Sequence, residues 1–229
     1  MHVAALWRYP VKSVGGERVP ALPLEGDGAV GDRDWGIRDR RTGQVLTAKE
    51  CPSLLHARAS LDERGAVVVS LPDGRCGVAG TPGLDADLSA WLDRPVAVER
   101  SRPGVAADYD AGFSGPPGRF VDGWPLHLVT TATLAGDDAR RYRPNVVVAA
   151  AGEPFLEDGW VGAGLAVGGA RLDVRKRCGR CVMVTRGQPG VPEDRSRLRR
   201  LGARDLRLGV YLRIARPAVV READEVRVG

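Results

Sequence analysis

What most constrains this chain is the recurrence of short runs in which apolar and polar residues alternate, each closed by Gly, Pro or Asp. In the first half these runs are Val3 to Tyr9, Trp35 to Arg38, Leu54 to Leu61, Ala66 to Leu71 and Pro95 to Glu99. The second half adds Leu126 to Thr130, Asn145 to Ala150, Ala170 to Arg177, Cys181 to Thr185 and Leu206 to Ile214. A period of two puts alternate side chains on opposite faces of a strand, and many short strands separated by turn residues favour barrels over a doubly wound sheet. Helical spacing is confined to Asp85 to Asp93, where Leu88, Trp91 and Leu92 share a face, to Glu193 to Leu201, and more weakly to Thr131 to Tyr142. The pattern predicts a mainly β fold with a few short helices. The Gly- and Pro-rich stretch Ser101 to Arg119 reads as a linker or as an ordered loop over a site. It places a domain boundary near residue 100, dividing the chain into 1–100 and 101–229.

Composition narrows the class. With 229 residues, 43% hydrophobic and 28% charged, the chain can bury a core and is not expected to be disordered. It contains no apolar run long enough to span a bilayer, and Met1 to Lys12 lacks the apolar core of a secretory signal. Four dispersed cysteines are too few to staple a protein of this size and fit a reducing compartment, so a cytoplasmic location is expected. Lys and Arg together number 34 against 29 Asp and Glu. Nearly all these cations are arginines, whose planar fork suits phosphate; compositional bias toward Arg accounts for the excess equally well. Nucleic acid is not the expected partner, because the aromatic platforms that single strands stack on are lacking.

Three groups of residues carry chemistry. Cys178 and Cys181 form a C-x-x-C pair among Arg175, Lys176, Arg177 and Arg180, a cationic setting that favours the thiolate a soft metal or a nucleophile requires. Taken alone, the pair also fits half a zinc site, a redox couple or two ordinary cysteines. Tyr9-Pro10-Val11-Lys12-Ser13 presents an ammonium beside a hydroxyl, a pairing suited to phosphate, and Gly31-Asp32-Arg33-Asp34-Trp35 sets another cation at the entrance to a strand, where a plain surface ion pair is the alternative. Tyr142-Arg143-Pro144-Asn145 offers a guanidinium and an amide just before the apolar run Val146-Val147-Val148. The acids of Phe155-Leu156-Glu157-Asp158-Gly159-Trp160 bind something or cap a turn.

The order of these segments, together with Pro125-Leu126-His127-Leu128-Val129-Thr130-Thr131-Ala132-Thr133-Leu134, resembles the MOSC family over nearly the whole chain. In particular it is similar to the branch that contains the mitochondrial amidoxime-reducing component and its bacterial relatives. The resemblance implies an N-terminal β-barrel domain followed by a MOSC β-barrel domain, and a molybdenum cofactor in which molybdopterin holds the metal. Matched residue by residue, Cys181 would be the protein's ligand to molybdenum. Lys12, Ser13 and Arg33 would hold the phosphate and pterin, Thr130 would line the site, and Arg143 and Asn145 would contact pterin or phosphate. On this reading all of these except Thr130 are expected to converge on one pocket.

The resemblance also implies reduction of small N-hydroxylated or related N-oxygenated compounds. Electrons would come from a separate donor of the ferredoxin or flavin reductase type, since the chain has no dinucleotide fingerprint and too few clustered cysteines for an iron–sulfur centre. A non-catalytic carrier of cofactor or sulfur through Cys181 is the alternative. A structural zinc built from Cys178 and Cys181 with two of Cys51, Cys76, His56 and His127 is a third. Two departures from the family pattern bear on substrate: no acid follows the cysteine in Thr185-Arg186-Gly187-Gln188-Pro189-Gly190, and no Gly precedes the last strand in Val219 to Val226.

Overall fold

The computed structural model describes residues 1–229 and is mostly strand with three short α-helices. The first half contains β1 (His2–Arg8), β2 (Glu17–Val19), β3 (Ala21–Glu25), β4 (Gly28–Ala29) and β5 (Trp35–Asp39). These are followed by β6 (Arg58–Leu61), β7 (Val67–Ser70), β8 (Cys76–Val78), α1 (Pro82–Leu92) and β9 (Val96–Arg100). The ribbon β10 (Asp108–Tyr109) and β11 (Phe113–Ser114) leads into β12 (Leu126–Thr130), α2 (Thr131–Leu134) and β13 (Val146–Ala149). Next come β14 (Gly164–Val167), β15 (Ala170–Gly179), α3 (Ser196–Arg200), β16 (Arg207–Arg216), β17 (Val219–Arg221) and β18 (Val226–Val228).

Eight strands form the main sheet in the order β18-β14-β15-β16-β12-β13-β1-β2. Its pairs are antiparallel except β12 with β13. Such a parallel pair needs covering on both faces, and Val146, Val147 and Val148 are accordingly all buried. One core lies against this sheet and draws on Val3, Leu6, Leu22 and Leu24 as well as Leu126, Val148, Leu172 and Leu212. A second core is built from residues 11 to 98, with Leu84 and Leu88 of α1 packed on Ile37, Leu54 and Val69. Helix α1 starts where Thr81 caps Leu84 N–H ahead of Pro82, and ends at Asp93 in the left-handed region. The first strand therefore belongs to the sheet built mainly by the second half, and the segment after it crosses from one core to the other.

Several local expectations change. The run Leu54 to Leu61 is a strand only from Arg58, because Pro52 opens a 3₁₀ turn over Pro52–His56. Cys181 to Thr185 is not a strand either: Val182–Thr185 is a 3₁₀ turn in which Val184 N–H donates to Cys181 O and Thr185 Oγ1 to Val182 O. The expected helix Thr131 to Tyr142 breaks at Ala135 and Gly136, both with positive φ, leaving α2 and a 3₁₀ turn Ala139–Arg141. That from Glu193 to Leu201 shortens to α3. Ser101 to Arg119 is an ordered loop, since Ala107 and Tyr109 pack with Val45 and Phe120 in a small cluster of their own.

Candidate functional site

Residues 9–16 join the two cores, and a turn closed by Val14 N–H on Val11 O decides what they do. Val11 and Val14 are fully buried in the second core, so Lys12 and Ser13 between them face the other way. Backbone bonds fix the segment: Lys12 N–H donates to Trp35 O, Gly15 N–H to Ala57 O, and Arg33 N–H to Tyr9 O. Lys12, Ser13, Arg33, Arg143, Asn145 and Cys181 all line one cleft, with Asp122, Trp124, His127, Cys178, Arg180, Met183 and Tyr211 among the rest of its wall. Three of the nine non-glycine residues with positive φ are here: Ser13 (φ 65°), Arg33 (φ 54°) and Arg143 (φ 54°). A side chain in that region costs roughly 1–2 kcal/mol, and such residues cluster where a site requires a particular orientation.

The cationic wall is held from behind. Arg33 is ion-paired with Asp32, which in turn accepts from Tyr9 N–H at 2.8 Å; Arg33 Nη2 donates to Arg143 O at 3.2 Å. Arg143 lies over the Tyr9 ring at 4.2 Å and donates from Nη1 to Val14 O at 2.7 Å. Burial, reinforced by Arg33, lowers the Arg143 pKa to about 10. Lys12 is 6% exposed, pairs with Asp122 and lies 4.4 Å from the Tyr109 ring centroid. Burial pulls Lys12 down and Asp122 opposes it. For Asp122 itself burial raises the carboxyl, but Lys12, Arg33 and Arg180 outweigh it and hold the group below the usual range. Asp122 thus stands as a carboxylate facing these cations.

Ser13 Oγ, Arg143 Nη2, Arg180 Nε and the Tyr9 hydroxyl are among the buried groups that have no partner. The first three belong to residues of the cleft wall. All are donors, and a buried donor left unpaired costs about 1–3 kcal/mol. The set is matched to an anion with several acceptor oxygens.

Strand β15 supplies the sulfur wall. Its pairing with β16 shifts register between Val174 and Lys176 and again between Arg177 and Gly179, so the strand bends just where the cysteines begin. Cys178 is buried, whereas Cys181, beyond the bend, is exposed at the cleft. Arg180 Nη1 donates to Cys178 Sγ at 3.1 Å and Nη2 to Tyr142 O at 2.9 Å. Burial alone pushes the Cys178 thiol up, but His127 and Arg180, with Tyr211 as a further donor, bring it down to about 6.

Two residues do not act as expected. Thr130 is not in the cleft: fully buried, it donates to Glu157 Oε2 at 2.8 Å and accepts from Thr133 N–H as the cap of α2. Asn145 reaches the wall, but its amide is engaged by Trp7 O, His127 N–H and Arg33 Nη1, so it positions rather than grips. Asp122 carries no motif that marks it, its place just before the strand of Pro125-Leu126 being the one available sign, whereas Arg180 stands inside the C-x-x-C pair. No three His, Cys, Asp or Glu side chains converge to hold a metal, so the zinc arrangement does not form. A metal at Cys181 requires its other donors from a cofactor.

Residues 1–95 match the MOSC N-terminal beta barrel domain and residues 127–227 match the MOSC domain. The chain belongs to the MOSC family. A molybdenum cofactor sulfurase of Solanum lycopersicum is 24% identical over 77% of this chain and 28% of its own length. Mitochondrial amidoxime reducing component 2 of Homo sapiens is 25% identical over 80% of this chain and 66% of its own. This MOSC chain thus spans under a third of the sulfurase it resembles. The YUAD protein from Bacillus subtilis shares the fold, with a TM-score of 0.50 at 14% identity over 99% of this chain and 94% of that one. Membership associates the chain with the molybdenum cofactor. No helix is long and apolar enough to cross a membrane.

Proposed function

We propose that the cleft binds molybdopterin-held molybdenum and that the protein reduces small N-hydroxylated or related N-oxygenated compounds. The observation that carries this reading is the convergence of three unpaired buried donors with an exposed thiol in one cleft. Lys12, Ser13, Arg33 and Arg143 would hold the phosphate and the pterin edge. Asn145 fixes the backbone of β1 and β12 behind them, and Cys181 would give the protein's sulfur to the metal. Bound there, the cofactor supplies two-electron removal of an oxygen atom. The overall balance is R–NHOH plus two electrons and two protons giving R–NH₂ and water. The electrons come from a separate donor.

The test is turnover of an N-hydroxylated substrate by molybdenum-loaded protein with reduced viologen as artificial donor. Amine formed in step with viologen oxidised supports the reductase. Tight cofactor binding with no turnover supports the carrier, the reading favoured by the sulfurase relatives. Neither cofactor nor turnover would refute both.

A further inference from the structure

Charge is distributed very unevenly. Between Arg171 and Arg207 there are twelve Arg and Lys against four acids, a net +8, while the whole chain is +5; the remainder is therefore net acidic by three. The concentrated segment is the one that carries Cys181. Many of its cations are already neutralised, Arg195 by Glu193, Arg200 by Asp194 and Arg204 by Asp158. Arg175, Arg186, Arg199 and Arg207 have no acidic partner within ion-pair distance. Arg175 lies 5.4 Å from the ring centroid of Trp124, itself part of the cleft wall. Arg207 is registered opposite Gly179, its Nη1 within 3.1 Å of where a side chain on that glycine would begin. Arg186 and Arg199 flank an open groove with an apolar floor of Val182, Leu198 and Leu206. The Nε of Arg186 is buried with no partner.

This groove and the cleft share one structural part. In the turn Val182–Thr185, Met183 faces the cleft, whereas Val182 and Thr185 face the groove. The groove therefore begins one residue beyond the exposed Cys181. From the charge excess, the apolar floor and this proximity we infer that the Arg186–Arg199 groove is the docking face for an acidic one-electron carrier protein. The inference rests on the proposed reductase reading and names its partner surface. Each encounter delivers one electron, so two encounters serve each substrate reduced. Opposite charge steers such encounters and sets their salt dependence, and the apolar floor gives the dry centre that a specific contact needs. A nucleic acid fits less well: among the exposed large apolar residues the one aromatic is Phe113, in β11 rather than in this segment.

The experiment titrates cofactor-loaded protein with an acidic two-iron ferredoxin, comparing wild type with Arg186→Glu/Arg199→Glu. Neither residue lines the cleft, so viologen-supported turnover should not change. Expected are saturable binding that weakens roughly tenfold between about 20 and about 200 mM salt, a further loss of about tenfold in the double variant, and a parallel fall in ferredoxin-supported turnover. Lack of ferredoxin binding to wild type, equal binding by the double variant, or tighter binding of a single-stranded oligonucleotide that is lost in the same variant would each overturn the inference. Absence of viologen-supported turnover would instead count against the reductase reading, leaving the titration to judge the docking face by itself.

Discussion

The two walls of the cleft are built on opposite principles. The wall of Lys12, Ser13, Arg33 and Arg143 consists of buried cations and hydroxyls locked from behind by Asp32, Tyr9 and backbone carbonyls, with three residues in the left-handed region. The wall of Cys178 to Cys181 follows a bent strand end and leaves one thiol buried among donors and the other open to solvent. The first suits a grip that does not change during reaction, and the second suits exchangeable chemistry. Grip and chemistry should therefore separate under mutation, and a common response to substitutions on both walls would break the comparison.

The largest effect is expected at Arg143→Met, which deletes a buried guanidinium that meets no paired carboxylate. A charge-assisted hydrogen bond is worth about 1.5–3 kcal/mol, so cofactor affinity should fall about ten- to a hundredfold, read as pterin retained after desalting. The fold should survive, since relief of a desolvated charge offsets the lost contact with Val14 O. Thr130→Val tests the converse. Removing the donor to buried Glu157 should cost about 1–3 kcal/mol in urea unfolding and leave pterin content unchanged. A drop in pterin content there would bring Thr130 back into the site.

The sulfur wall makes a prediction in pH. In the fold His127 and Arg180 hold the Cys178 thiol well below its ordinary value near 9. A depressed group contributes stability in full above its unfolded pKa and loses it as pH falls through the folded value, so cofactor-free wild type should gain stability from pH about 6 to about 9. Cys178→Ser should lack that gain in paired denaturant titrations; an identical pH slope in the variant would mean that the sulfur is not a thiolate. The smallest effect belongs to Asp122→Asn. With Lys12 released from its carboxylate, inorganic phosphate should bind cofactor-free protein roughly two- to fivefold more tightly by calorimetry. Weaker binding would make Asp122 an organiser of Lys12 rather than a competitor for it.

Much of this was legible in the sequence, for identifiable reasons. Lys12, Ser13, Arg33 and Arg143 each stand within two residues of a Pro or a Gly, places where a short motif determines both geometry and chemistry. What escaped depends on contacts distant along the chain. Nothing local to Thr130 announces Glu157, twenty-seven residues on. Asn145 is consumed by Trp7 and His127, and Asp122 meets Lys12 across 110 residues. The alternating run Cys181 to Thr185 looked like a strand because period two cannot reveal that Thr185 folds back to bond Val182 O. That turn is what sets Cys181 apart from Cys178.

The most direct test of the account is therefore the pair Cys181→Ser and Cys178→Ser, each assayed separately for molybdenum by elemental analysis and for pterin by the fluorescence of its oxidised form. A hydroxyl is a poor replacement for a soft sulfur donor, while the residues proposed to grip the phosphate lie on the other wall. Cys181→Ser should keep pterin but lose molybdenum-dependent turnover, and Cys178→Ser should keep both metal and most turnover. If Cys178→Ser were the inactive variant and Cys181→Ser remained active, the ligand assignment would be reversed; if both stayed fully active, molybdenum chemistry at this cleft would be contradicted.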